Sequence, residues 1–280
     1  MKLSSSSLFA TLDSDGFVYE VKYTKKGIPY AGFRWEFPQH SGMLRAFTIF
    51  YDEDTLRISL HEPMGVNVRL KIAECLKYQQ DFPVSRLQTN SDDDNKLELC
   101  IAIPIENIKP DIKLLKSLMI HLTNNADELL GTFKVSSRQA PTLPAMPSEL
   151  SLADILVKLG LQPIQHQGAF VIDLRLPGLD LKSRFSVYHL ATGWIKVSGH
   201  LLEKEEFEIK RLPESLIQQL QLWAPIGRFV TQEFEGRQIL GCEVAGIFMH
   251  HDPSFVIAQV IKAAMLLLGS ASQQYVDNRN

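Results

Sequence analysis

Two short stretches hold the residue types from which a site could be built. Arg57-Ser59-His61 and Lys196-Ser198-His200 each set a cation, a hydroxyl and an imidazole two residues apart. On a strand, where side chains alternate, that spacing puts all three on one face. Such a face could hold an anionic group or a peptide carboxylate; a solvated sheet face is the simpler reading and is preferred. A Ser–His nucleophile is less favoured still, because no strained elbow, oxyanion glycine or orienting acid accompanies either pair. Arg86 with Thr89 and Arg228 with Thr231 could line a partner groove or form ion pairs across a sheet edge, and the structural role is preferred. The candidate partner-binding set is therefore Arg57, Ser59, His61, Arg86, Lys196, Ser198, His200 and Arg228.

Other clusters carry less chemistry. His250-His251-Asp252 has the residue types of a metal site, but adjacent histidines seldom converge on one ion and no third ligand follows at helical or hairpin spacing. It reads as a turn and helix cap. Asp92 to Asn95 is too short for a calcium loop and lacks its glycine and distant glutamate. Cys100 and Cys242 read as small buried residues rather than a redox pair, and with Cys75 they are too few and too scattered for a disulfide framework or a zinc knuckle. No glycine-rich phosphate loop, metalloprotease helix or zinc ribbon occurs. The expectation is a chain that is not an enzyme, with no catalytic residues, no cofactor and no metal.

What positions these residues is an internal duplication. Pro83-Val84-Ser85-Arg86-Leu87-Gln88-Thr89 recurs as Pro225-Ile226-Gly227-Arg228-Phe229-Val230-Thr231, and at the same offset Cys100 falls on Cys242. Each copy then runs into a long apolar helix with a proline, Pro110 or Pro253, in its first turn. At a slightly smaller offset Leu56 to His61 falls on Ile195 to His200, and Arg45 on Arg184.

The 280 residues allow two domains of ordinary size. An apolar fraction of 45% is enough to build a core in each. A net charge of -3, spread evenly along the chain, leaves no basic face and argues against nucleic acid as a partner. The first residues lack the apolar core of a signal peptide. The longest apolar run, Phe255 to Leu268, is interrupted by Gln259 and Lys262 and falls short of the roughly 20 residues of a membrane span, so it reads as a buried helix. A cytoplasmic protein is expected.

Periodicity supplies the elements. Alternation predicts strands over 17–23, 32–37, 47–51 and 56–61, then 84–89 and 97–103. Helical spacing predicts helices over 67–80 and 108–130, with Ile112, Leu115, Met119, Leu122 and Ala126 forming one stripe. A short helix over 8–12 is a weaker prediction. Prolines at 141, 144 and 147 mark an extended linker. The division is thus a first domain over 1–135, a linker over 136–149 and a second domain over 150–275. In the second half, Ser151 caps a helix over 152–159 that Gly160 stops. Strands follow over 170–176, 185–190 and 194–202, then a helix over 213–223, a hairpin of 228–234 with 237–248, and a helix over 254–268 that Gly269 ends. Each half reads as an antiparallel α+β domain with the order α-β-β-β-α-β-β-α.

That order, with the strand-turn-strand-helix ending of 224–268 and the stretch Trp223-Ala224-Pro225-Ile226-Gly227-Arg228-Phe229, resembles the type III secretion chaperones and the related YbjN-type putative sensory transduction regulators. In that superfamily a domain is a small, acidic, non-enzymatic protein that dimerises and holds an extended segment of a client. The resemblance implies a chaperone, adaptor or regulatory protein whose two copies form an intramolecular pseudo-dimer around a protein or peptide client, as a monomer or a homodimer. The alternative from another class is a small-molecule sensor or enzyme with a cleft between the domains.

Overall fold

The computed structural model describes residues 5–36, 44–52, 55–63, 84–90, 93–105, 110–130, 151–177, 179, 181–190, 193–202, 212, 216, 220, 224, 226–248 and 252–277. The expected helix over 67–80, most of that over 213–223, the proline-rich stretch 136–149, Cys75 and His250-His251 lie outside the described residues. The chain divides into two compact units, Met1–Lys71 with Ser85–Pro141 and Ile72–Val84 with Thr142–Asn280.

In the first unit, helix α1 (Ser5–Ser14) precedes strands β1 (Glu20–Tyr23), β2 (Pro29–Glu36), β3 (Leu44–Asp52) and β4 (Thr55–Pro63). Strands β5 (Arg86–Asn90) and β6 (Asp93–Pro104) then lead into helix α2 (Ile112–Leu130). The sheet is antiparallel in the order β1-β2-β3-β4-β6-β5. Alternation sorts its faces: Phe47, Ile49 and Tyr51 of β3 and Leu56, Ile58 and Leu60 of β4 are all buried. Leu8 and Leu12 of α1, one helical turn apart, are fully buried as well. The α2 stripe is the expected one, with Leu115, Met119, Leu122 and Ala126 fully buried. Asp111 caps that helix by accepting the Leu114 N–H at 2.7 Å.

The second unit repeats the plan. Helix α3 (Leu152–Lys158) precedes β7 (Ile164–His166), β8 (Ala169–Arg175), β9 (Lys182–Leu190) and β10 (Trp194–Leu201). Strands β11 (Arg228–Phe234) and β12 (Arg237–Ile247) and helix α4 (Pro253–Asp277) follow. The sheet order is β7-β8-β9-β10-β12-β11, the first unit's order again. Ser151 caps α3 by accepting the Asp154 N–H at 3.1 Å, and Gly160 leaves the helix at φ 77°. Leu216 and Leu220 join the core formed by α3, α4 and the inward faces of β9, β10 and β12.

The two-domain, antiparallel α+β layout therefore holds, while the expected element order needs correction: the first run of each unit has four strands, not three. In the second unit the extra strand is β7, folded onto β8 by the Gln167-Gly168 turn at φ 45° and 79°, and its three exposed residues show no alternation. In the first unit the four strands, with β1 and β2 on either side of the Lys25–Gly27 turn, are the four that alternation predicts, and only the expected order counts three.

A second correction concerns α4, which passes through Gly269 to Asp277. A glycine inside a helix costs roughly 1 kcal/mol relative to alanine, but Leu267, Leu268, Ala271 and Ser272 are buried on both sides of it, and that packing carries the helix onward. By length and composition alone its Pro253–Gln274 stretch could cross a membrane, yet half of its apolar window is buried inside the protein, as in a core helix.

Burial of His121 on α2 pushes its imidazole down to about 4 from an ordinary 6.5. The folded state then binds fewer protons than the unfolded chain between these values, so stability is full above pH 6.5 and falls as pH drops toward 4. The expected loss reaches about 2 kcal/mol once partial exposure is allowed for. Urea midpoints measured across that window should slope less in His121→Gln; an unchanged slope contradicts the assignment.

Candidate functional site

The two repeated faces are layers of paired charges. In the first unit Arg57, Ser59 and His61 share the face of β4 opposite Leu56, Ile58 and Leu60, as alternation requires. Arg57 Nη2 donates to Glu98 Oε1 at 2.8 Å and Ser59 Oγ donates to the same oxygen at 2.6 Å. His61 Nε2 lies 3.0 Å from Thr48 Oγ1. Arg86, on β5, is only 1% exposed. Its Nη2 lies 3.8 Å from Cys100 Sγ on β6.

In the second unit Lys196 Nζ contacts Glu243 Oε1 at 3.0 Å and sits 5.0 Å from the centre of the Tyr188 ring. Arg228 Nε donates to the other oxygen of Glu243 at 3.0 Å, with Arg228 2% exposed. Burial alone would raise the Glu243 carboxyl, but the charges of Arg228 and Lys196 and their hydrogen bonds outweigh it and hold it below its usual value. His200 Nδ1 lies 2.9 Å from Gln232 Oε1, and Gln232 Nε2 donates to Ser198 Oγ at 2.6 Å. Burial, the largest cause, lowers the His200 pKa.

These positions settle two points of chemistry. Neither copy joins its serine to its histidine: Ser59 is bonded to Glu98, and Gln232 stands between Ser198 and His200. The faces are also only partly solvated: Ser59 is 2% exposed, while Arg57, His61, Lys196, Ser198 and His200 are half-buried. The ion-pair reading holds for Arg228. Among the described residues no group of three or more His, Cys, Asp or Glu could hold a metal ion. Sequence reasoning did not single out Glu98, Glu243 or Gln232, the groups on which the faces converge. Their signal is strand alternation counted from the structural register, which the sequence offset misses.

That register separates the copies by one residue. Cys100 stands opposite both Ser59 and Arg86, whereas Glu243, not Cys242, stands opposite Ser198 and Arg228. The cause lies in the hairpins. β11 and β12 join through the two residues Glu235-Gly236, while the register of β5 with β6 shifts between Thr89 and Asn90. A slip of one position turns side chains to the opposite face. Cys242 accordingly points at α4, its Sγ 3.5 Å from the Ala264 carbonyl, and burial pushes its thiol up to about 12. The two cysteines do not occupy equivalent places. The same holds for the arginines matched by sequence. Arg184 stands opposite His200, whereas Ala46 stands opposite His61. Arg45 is buried against Asp127 of α2, while Arg184 makes an exposed pair with Asp173 at 2.8 Å.

Beside that exposed pair is a cavity of about 370 Å³, whose lining includes Leu161, Ile164, Val171, Leu174, Asp173 and Arg184. It lies at the outer edge of the second sheet, where β7 is exposed at all three residues and Ile164 is 70% exposed.

No protein-family model matches the chain, and no curated protein matches it. Among solved structures the chain is similar to the di-domain ARO/CYC StfQ from the steffimycin biosynthetic pathway, with 11% identity over 99% of this chain and 96% of that one, at a TM-score of 0.17. A TM-score that low carries no inference about fold or chemistry.

Proposed function

We propose that the protein is a non-enzymatic chaperone or adaptor that holds an extended protein or peptide client along the outer edge of its second sheet. One observation carries this reading: β7 is an exposed outer strand beside the 370 Å³ cavity. The pair His166–Ala169 closes a two-residue turn and so exchanges hydrogen bonds within the sheet. By alternation the N–H and C=O of Gln165 then face outward, ready to add a strand, and the cavity offers a place for an apolar side chain of that strand.

The reading draws support from the repeated sheet order, which is compatible with two fused domains of the type III secretion chaperone or YbjN kind. It is also supported by the serines and histidines, which are occupied by neighbours other than each other. It carries a cytoplasmic location and a protein client, with neither nucleic acid nor membrane as partner, in keeping with the even charge distribution.

The test is panning of a random peptide library. Enriched peptides should alternate apolar and polar residues, because strand side chains alternate between faces. Gln165→Pro removes the outward N–H without breaking a β7–β8 bond and should weaken binding about tenfold with an unchanged circular dichroism spectrum. No enrichment over the naive library rejects the proposal.

The cavity also favours a second reading, a small-molecule sensor or enzyme, since its volume is within the range of small-ligand sites. A small molecule that co-purifies in native mass spectra and is retained by Gln165→Pro supports that reading over the first.

A further inference from the structure

We propose that a second copy of this chain pairs with β1, joining two first-unit sheets edge to edge around a twofold axis through Val21. Strand β1 is the outermost strand of its sheet and all four of its residues are exposed. Around it Val18, Val21 and Tyr23 are 89%, 45% and 68% exposed, an apolar edge of the kind that proteins otherwise cover or pair.

Hydrogen-bond parity limits how such an edge can be used. The Thr24 N–H donates to the Ile28 carbonyl at 2.9 Å, and the next pair, Tyr23 with Pro29, includes a residue with no N–H. Antiparallel pairs alternate between bonded and unbonded. Lys22 and Glu20 therefore bond inward to β2, while the main-chain groups of Tyr19, Val21 and Tyr23 face outward.

An antiparallel partner must match these odd-numbered residues to one another, which leaves three short twofold registers, centred on Glu20, Val21 or Lys22. Centring on Glu20 sets glutamate against glutamate, and centring on Lys22 sets lysine against lysine. Centring on Val21 sets each Glu20 opposite the second copy's Lys22, at the closer, unbonded positions where cross-strand side chains interact best. It pairs Val21 with Val21 and Tyr19 with Tyr23. The charge pattern selects one register, and that register is self-complementary, as a twofold interface requires.

This inference is independent of the client reading, since it concerns the corresponding edge of the other unit and is read by mass rather than by peptide capture. Sedimentation of the parent over a concentration series should show mass rising from 31.7 kDa toward twice that value. Val21→Pro removes only an outward N–H and should stay monomeric with an unchanged circular dichroism spectrum. Lys22→Glu converts two attractive cross-strand pairs into two repulsive ones and should raise the dimer Kd about tenfold. Glu20→Lys combined with Lys22→Glu restores the complementarity and should restore the dimer. A parent that stays at 31.7 kDa up to its solubility limit overturns the proposal. So does a Val21→Pro protein that still dimerises, or a double exchange that fails to recover what Lys22→Glu loses.

Discussion

Arg45→Met should destabilise the first unit by about 3–5 kcal/mol, the cost of leaving one member of a buried ion pair without its partner. Arg45 lies on the inward face of β3, next in that row to Phe47, and its guanidinium meets the Asp127 carboxylate of α2; both side chains are 3% exposed. Methionine fills a similar length with apolar atoms but leaves Asp127 charged and buried. Replacing both, Arg45→Met with Asp127→Leu, removes the two charges together and should recover most of the loss, since apolar residues of similar volume often equal or exceed a buried pair in stability. Hydrogen exchange of the α2 amides reads the effect within this unit. A single replacement that costs less than about 1 kcal/mol would place the pair in the range of surface ion pairs instead.

Glu243→Gln carries the second large effect. Lys196 and Arg228 both end on this carboxylate, and Arg228 is 2% exposed. An amide of the same shape leaves two cations, Arg228 buried and Lys196 half-buried, facing one neutral group, and the expected cost is about 2–3 kcal/mol. The pH dependence follows from the same pair of cations. The folded-state pKa of Glu243 lies below its usual 4.5, because the two cations outweigh burial. Its contribution is therefore complete above the unfolded value and is lost as pH falls through the folded one. Thermal melts of the parent should drop in Tm as pH falls from about 5 into that range, and Glu243→Gln should show a shallower fall. Parallel curves would mean that the acid sensitivity arises at other carboxylates.

The two predictions draw on one contrast. The copies share a sheet order but place their charges differently. The first unit has Arg45 and Asp127 under α2, together with Ser85 bonded to Asn125 at 2.7 Å. The second has an apolar cluster along α4, including Val260, Ile261, Ala264 and Leu268. The two units thus share a sheet order and differ in what fills their interiors.

Local sequence determined the elements wherever one face is buried. Period-two alternation makes β4 and β9 strands, and the three-and-four spacing of Leu115, Met119, Leu122 and Ala126 makes α2 a helix. Caps are equally local, because Asp111 and Ser151 bond to an N–H three residues on. The recurrence of Pro83, Arg86 and Thr89 as Pro225, Arg228 and Thr231 is likewise visible in residue types alone. What the sequence did not show is β7, whose three exposed residues have no buried face to impose alternation.

Tertiary structure alone decided which residues meet. The sequence offset sets Cys100 on Cys242 and Arg45 on Arg184, yet each pair lies on opposite faces. A turn or bulge that differs by one residue leaves the match of residue types intact while moving the hydrogen-bond register by one place, and with a side-chain period of two that move exchanges inside for outside. For the same reason Glu98, Glu243 and Gln232 could be found only once the strands were paired: the sequence determined what each strand carries, and the register determined which of those groups face one another.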